Sequence, residues 1–221
     1  MIKTITLQHF KCFKNKTTIN FSKINVLSGE NNTGKYSVLQ ALMLKSPISP
    51  ISSEYKCAFS LHETPFIQIE EDLTTNTDIN FVSIRGNKCQ EYDEGIGFEC
   101  FNKIQKTVSS AQENSVLIFE YPETGLHPSI QSGLMHFLVR VSNEKNIQLF
   151  IKTNSDYMIN GLRITVLQNQ INKDDVSILY FSRKDTETPI ITDIKIDSKG
   201  NLSHYPDGFM DEYSKQMSKL V

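Results

Sequence analysis

Ile24-Asn25-Val26-Leu27-Ser28-Gly29-Glu30-Asn31-Asn32-Thr33-Gly34-Lys35-Tyr36-Ser37-Val38-Leu39 is the stretch on which the fold turns. A short apolar run, Ile24 to Leu27, leads into a glycine loop. Val38, Leu39, Ala41, Leu42, Met43 and Leu44 then read as a strongly apolar helix that Pro47 and Pro50 stop. Gly29 to Lys35 has the spacing G-x-x-x-x-G-K, and it sits where that motif must sit, between a strand and a helix. The two glycines let backbone N–H groups curl round a phosphate. The helix N-terminus adds partial positive charge, and Lys35 can reach the β and γ oxygens. Gly29, Asn31, Asn32, Thr33, Gly34, Lys35, Tyr36 and Ser37 are therefore the candidate nucleotide-binding residues, the alternative being a plain Gly/Asn-rich turn. The motif should close on Ser or Thr, whose hydroxyl ligates Mg²⁺, and here that position is Tyr36. Ser37 does not replace it, because one step along a helix rotates the side chain by about 100°. Mg²⁺ keeps several waters in such sites, so the expectation is a weakened metal site with nucleotide binding retained.

Outward from this stretch, Lys3 to Leu7 and Thr17 to Phe21 alternate as strands. Residues 46 to 64 read as loop, and Phe66 to Ile69 and Ile79 to Ile84 as two further strands. The chain then alternates apolar strands at Val116–Phe119, Ile147–Ile151 and Val176–Phe181 with helices at Ile130–Val141 and near Tyr157–Arg163. That order argues a parallel sheet covered on both faces. Ile190 to Ile196 alternates like an antiparallel edge strand and turns at Ser198-Lys199-Gly200-Asn201. The expected class is α/β, a P-loop nucleotide-binding fold with a mixed sheet: N-terminal antiparallel strands and a parallel core flanked by helices. One domain over 1–221 is expected, with N-terminal strands and phosphate loop in 1–45, a short middle lobe in 46–94, a core half in 95–185 and a hairpin and tail in 186–221.

Composition narrows the class. The 221 residues are 38% hydrophobic and 22% charged with a mean hydropathy of -0.32, which excludes disordered and fibrous proteins. No apolar run approaches the ~18 residues of a membrane span. A net charge of -2 and a pI near 6.2 exert no global pull on nucleic acid or anionic lipid. Lys11, Lys14 and Lys16 read as a solvated face rather than a DNA contact. Cys12, Cys57, Cys89 and Cys100 form no C-x-x-C pair and read as reduced thiols. The first residues alternate and lack a signal peptide's apolar region, so a cytoplasmic location is expected.

Both ends of the chain, about 1–45 and 95–212, resemble the RecF/OLD-like branch of the ABC-type AAA ATPases, specifically members ending in a domain of unknown function with a Trp-Pro-x-Gly-Phe-Phe box. His9-Phe10-Lys11-Cys12-Phe13 is similar to the family's Asn-Phe-Lys-Ser-Phe element. Gly29 to Lys35 is similar to its Gly-x-Asn-Asn-Ser-Gly-Lys-Ser loop, broken at Tyr36. Phe119-Glu120-Tyr121-Pro122-Glu123-Thr124-Gly125-Leu126-His127-Pro128 resembles its acidic motif and the His-Pro that follows. Read without the resemblance, this is only an acidic turn. The resemblance implies that Glu120 holds the metal's water shell and that the catalytic base falls on Tyr121. A phenol is a poor base at neutral pH, which leaves Glu123 as the candidate substitute. Lys152-Thr153-Asn154-Ser155 stands where the family has Glu-Thr-His-Ser, placing Asn154 at the γ-phosphate sensor. Gly95-Ile96-Gly97-Phe98-Glu99 stands where the signature Gly-x-Gly-x-Ser reaches a partner's phosphate, unless it is an ordinary turn. Asp174 to Leu202 and Tyr205-Pro206-Asp207-Gly208-Phe209-Met210 resemble the closing hairpin and box, read physically as packing.

The resemblance implies ATP and Mg²⁺ as ligands and nucleotide-driven pairing, homo- or heteromeric, with another ATPase subunit. It also implies a setting in bacterial DNA maintenance or anti-phage defence, with an effector protein as a further partner. The replacements at Tyr36, Tyr121, Asn154 and Glu99 imply weak or absent hydrolysis. The alternative is a non-catalytic pseudo-ATPase that acts only as an interaction subunit.

Overall fold

The computed structural model describes residues 1–44, 66–71, 82–85, 96–184 and 188–220. The loop expected at 46–64 and the first part of the strand expected at 79–84 lie outside them. Strands β1 (Ile2–Gln8), β2 (Thr17–Asn20) and β4 (Phe66–Glu71) form an antiparallel sheet in the order β2-β1-β4. The larger sheet runs β5 (Val82–Arg85), β6 (Val116–Glu120), β7 (Gln148–Lys152), β3 (Ile24–Gly29), β8 (Val176–Ser182), β9 (Ile190–Ile194). Its first five strands are parallel and β9 is antiparallel at the edge. This is the mixed α/β architecture expected from the sequence.

Side-chain parity divides this sheet between two cores. Ile24, Val26, Leu117, Phe119, Leu149, Ile151, Val176 and Ile178 face helices α2 (Ile96–Ser110), α3 (Pro128–Lys145) and α4 (Asp156–Leu167). Leu27, Val116, Ile118, Phe150, Leu179 and Phe181 face α1 (Lys35–Leu44) and the antiparallel sheet, whose Ile5, Leu7 and Ile19 close the second core. Because neither face of β6, β7 or β8 meets water, their sequences are continuous apolar runs. Helix α1 lies between the two sheets and is buried from Ser37 through Leu42, which accounts for its lack of a polar face. Helix α2 has no counterpart in the sequence reading. Over residues 101–110 of this helix, Ile104 and Val108, one turn apart, are deeply buried, with Phe101 packed beside them.

Two buried amides bind the layers at fixed register. Gln148 accepts from Ile2 N–H at 2.8 Å and donates to Ile2 and Ser22 carbonyls at 2.8 Å each, joining β7 to the start of β1 and the β2–β3 connection. Asn25 donates to the Ser22 and Leu149 carbonyls at 2.8 and 3.1 Å and accepts from Ser22 N–H. The tail packs as expected only in part. Phe209 is buried and stacks edge-on against Tyr180, 5.3 Å between centroids, while the Tyr180 hydroxyl donates to the Asp207 carbonyl at 2.9 Å. Met210 is packed on the core, but Tyr205 remains 57% exposed. Helix α5 (Glu212–Met217) follows. No described helix is long and apolar enough to cross a membrane.

Replacing Gln148 with Leu keeps the volume and strands the amide and carbonyl of Ile2. The expected cost is about 2 kcal/mol, read as a lower urea midpoint with an unchanged slope.

Candidate phosphate-binding site

β3 stays paired with β8 to its last residue, and this fixes where the phosphate loop begins. Gly29 has φ +125°, and a Cβ there would lie 2.1 Å from the Phe181 carbonyl oxygen, so only glycine fits. The chain then leaves the sheet with Glu30 N–H donating to that same carbonyl at 3.1 Å. Asn32 and Gly34 take φ of +61° and +96°. Thr33 Oγ1 donates to the Glu30 carbonyl at 2.7 Å and closes the loop. α1 begins at Lys35 with no acidic residue in its first turn. Its leading N–H groups have no intrahelical acceptors, and the positive end of the helix dipole is not neutralised.

The tip of the β1–β2 connection forms the opposite wall. Phe10 and Phe13 exchange two backbone hydrogen bonds, at 3.1 and 2.9 Å, and both rings are buried. Lys11 and Cys12 between them are held at the apex, Lys11 with φ +54°. A Cβ on Gly34 would lie 2.8 Å from Cys12 Sγ and 3.0 Å from the Phe13 ring, so the second glycine of the motif lets this hairpin seat on the loop. The resulting cleft, about 530 Å³, is lined by Asn31 to Ser37 with Lys11, Cys12, Tyr121 and Lys152.

Lys35 is 3% exposed, and its Nζ donates to the Gly29 carbonyl at 2.6 Å, to the Glu30 carbonyl and, at 3.4 Å, to Thr33 Oγ1. Burial, followed by repulsion from Lys152 and opposed by Glu30, lowers its pKa to about 8. Burial likewise lowers that of Lys11.

The acidic motif lies at the C-terminal ends of neighbouring strands, where Glu120 of β6 is in register with Lys152 of β7. Lys152 Nζ donates to Glu120 Oε1 at 2.6 Å, with the two side chains 10% and 17% exposed. The same ammonium stands 5.2 Å from the centroid of the Tyr36 ring and 4.6 Å from that of Tyr121. Tyr121 is held at φ +50°, its N–H donating to the Lys152 carbonyl at 2.8 Å. Glu123 lies beyond, accepting from Thr153 Oγ1 at 2.6 Å. Burial raises its pKa, and its Oε2 is buried with no hydrogen-bond partner. Neither it nor Glu120 lines the cleft. Asn154, its amide nitrogen turned toward carbonyls, donates to Gly29 O at 3.2 Å and Thr153 O at 3.1 Å, so this residue touches the start of the loop. Ser155 caps α4 by accepting from Met158 N–H, and His127 caps α3 by accepting from Ser129 N–H. Gly97 to Glu99 form the first turn of α2, and Gly95 is outside the described residues.

The site thus gathers the loop residues read from the sequence and adds Lys11, Cys12 and Lys152, which that reading did not include. Lys11 is half-buried beside the loop rather than on the solvated face expected for it, whereas Lys14 and Lys16 are exposed. The spacing Phe-Lys-Cys-Phe was the available signal: two buried aromatics three apart bracket a two-residue turn.

Comparison with known proteins bears on the family and the fold. A family described as an AAA ATPase domain matches residues 1–94 and 94–159, and one described as a protein of unknown function, DUF3696, matches 171–220. A Helicobacter pylori protein named ATP/GTP phosphatase is 43% identical over 42 residues, which is 19% of this chain and 11% of that protein. Among solved structures, an SMC head domain from Thermotoga maritima superposes with a TM-score of 0.50 at 11% identity, over 88% of this chain and 99% of the other. An SMC head bound to the C-winged helix domain of ScpA gives 0.57 at 12%, over 89% and 98%. With the family match spanning both the phosphate loop and the acidic motif, the chain belongs to the AAA ATPase domain family.

Proposed function

We propose that this protein binds ATP in the cleft between the phosphate loop and the Lys11–Cys12 turn and pairs with a second ATPase head when loaded, with weak or absent hydrolysis. The observation that carries the reading is the loop itself: left-handed backbone at Gly29, Asn32 and Gly34, followed by Lys35 at the unneutralised N-terminus of α1. Gly29 to Lys35 would wrap the phosphates, Lys35 exchanging its contacts with the Gly29 and Glu30 carbonyls for phosphate oxygens. Three lysines line the cleft, Lys152 of them paired with Glu120, and give it the positive charge that favours a phosphate chain.

Turnover is a different matter. The position that should offer a metal-binding hydroxyl is Tyr36, and the carboxylate that should order the metal's water shell is paired with Lys152. These residues do not fit a divalent cation. Tyr121 stands at the expected base position, and Glu123, the candidate substitute, is turned to Thr153. Each missing transition-state contact typically costs 10²-fold or more. Pairing is supported by the resemblance and by likeness to SMC heads, and the setting in DNA maintenance or anti-phage defence by the resemblance alone. The second reading, an interaction subunit without nucleotide, has one observation in its favour: Lys35 is already satisfied by carbonyls of its own loop.

Titration with a fluorescent ATP analogue separates the two. Saturable binding below millimolar nucleotide is expected, and Lys35→Ala removes it; a wild-type chain that shows no saturation supports the second reading. Affinity weakens as pH rises through about 8, where Lys35 loses its proton in the free protein. By about pH 9 a loss of roughly tenfold is expected from linkage between the proton and the ligand. Sedimentation with and without ATP tests pairing: a shift to dimer that Lys35→Ala lacks is the expected result. Phosphate release stays below roughly 0.1 s⁻¹, a hundredth of a typical turnover.

A further inference from the structure

Lys152 is unusual for what surrounds it. Its ammonium is fixed on one side by the Glu120 carboxylate at 2.6 Å and flanked by two aromatic rings, Tyr121 at 4.6 Å and Tyr36 at 5.2 Å from its nitrogen. Tyr36 directly follows the phosphate-binding lysine, on the first turn of α1, and Lys152 lines the same cleft as the loop. In P-loop NTPases a divalent ion is held between a hydroxyl at the position of Tyr36 and a carboxylate at a strand end. Here the carboxylate is present, but an ammonium occupies it, and the hydroxyl has been replaced by a ring whose face attracts cations. The two replacements are complementary. Serine at position 36 would give an ammonium no aromatic wall, and a glutamate at 152 would leave Tyr36 facing an anion.

We propose that Lys152 is the built-in cation of this site, standing in for the divalent metal, so that the triphosphate binds without Mg²⁺. This rests on the nucleotide-binding reading above and specifies how the phosphate charge is met. An ammonium has three N–H donors, and among the described residues Glu120 is the one hydrogen-bond acceptor of Lys152 Nζ, which leaves two donors for phosphate oxygens. Glu120 serves as the anchor that orients the ammonium, and the rings of Tyr36 and Tyr121 restrict its movement. A tethered cation needs no dehydration from bulk water, unlike Mg²⁺, which gives up its water reluctantly. It carries half the charge of the ion it replaces, and it adds no metal-bound water for chemistry, in accord with a site for holding nucleotide rather than splitting it.

The test is the dissociation constant of a fluorescent ATP analogue, measured on the full chain in EDTA and in excess Mg²⁺. The expected result is equal affinity within about twofold, since a fixed cation makes the metal redundant. Lys152→Met should weaken binding in EDTA by roughly tenfold or more, the loss of about one charge-assisted hydrogen bond, while Lys152→Arg, which keeps the charge, retains metal-independent binding. A merely structural lysine would not give that split between the two variants. The double variant Tyr36→Ser, Lys152→Glu should bind the analogue only when Mg²⁺ is supplied. Native binding that is more than about fivefold tighter in Mg²⁺ overturns the role of Lys152 and leaves nucleotide binding standing. Equal binding by Lys152→Met in EDTA does the same. Absence of binding in both buffers by a native chain with an intact cooperative unfolding transition overturns both readings together.

Discussion

β3 is hydrogen-bonded along both edges, to β7 from Ile24 to Leu27 and to β8 as far as Gly29. The Phe181 carbonyl occupies the space a side chain would need. Because the last paired residue has no side chain, the loop leaves the sheet at a fixed point and angle. The placement of α1, the seating of the Phe10–Phe13 turn and the position of Lys35 all follow from that exit. A strand that frayed one residue earlier would leave the loop's amides without a common centre, and the apolar helix behind it without its slot between the sheets.

The electrostatics of the cleft are built on opposition. Lys11, Lys35 and Lys152 converge there, and each is restrained by something local: a hairpin apex, two loop carbonyls and a carboxylate, respectively. Burial and mutual repulsion leave Lys35 with a proton it holds less tightly than a free amine. An anion entering the cleft relieves that repulsion, so part of its binding free energy comes from strain the free protein already carries.

How much of this could be read from the sequence differs with the kind of information. The apolar runs at Val116–Phe119, Ile147–Ile151 and Val176–Phe181 announce strands buried on both faces, and the glycine spacing announces the loop, because both signals are local. Helix α2 escaped because the apolar positions Phe101, Ile104 and Val108 are spaced out by Lys103, Lys106 and Thr107. The pairing of Glu120 with Lys152, 32 residues apart, is a product of parallel register, and no local pattern reports it. For Lys11 the Phe-Lys-Cys-Phe spacing reports a turn but not its direction; the turn faces the cleft because it packs on Gly34, far along the chain. Tyr36 shows as a departure from a motif in the sequence, but its environment explains it only once Lys152 is beside it.

The docking of the tail bears on the loop through β8. Tyr180 points to one face of the sheet and holds the Asp207 carbonyl and the Phe209 ring, while the next residue, Phe181, offers its carbonyl to Gly29 and Glu30. Two successive residues of β8 therefore hold the C-terminal box and the first residues of the phosphate loop. The tail is in this sense a splint: by immobilising Tyr180 it stiffens the one stretch of backbone against which the loop is braced.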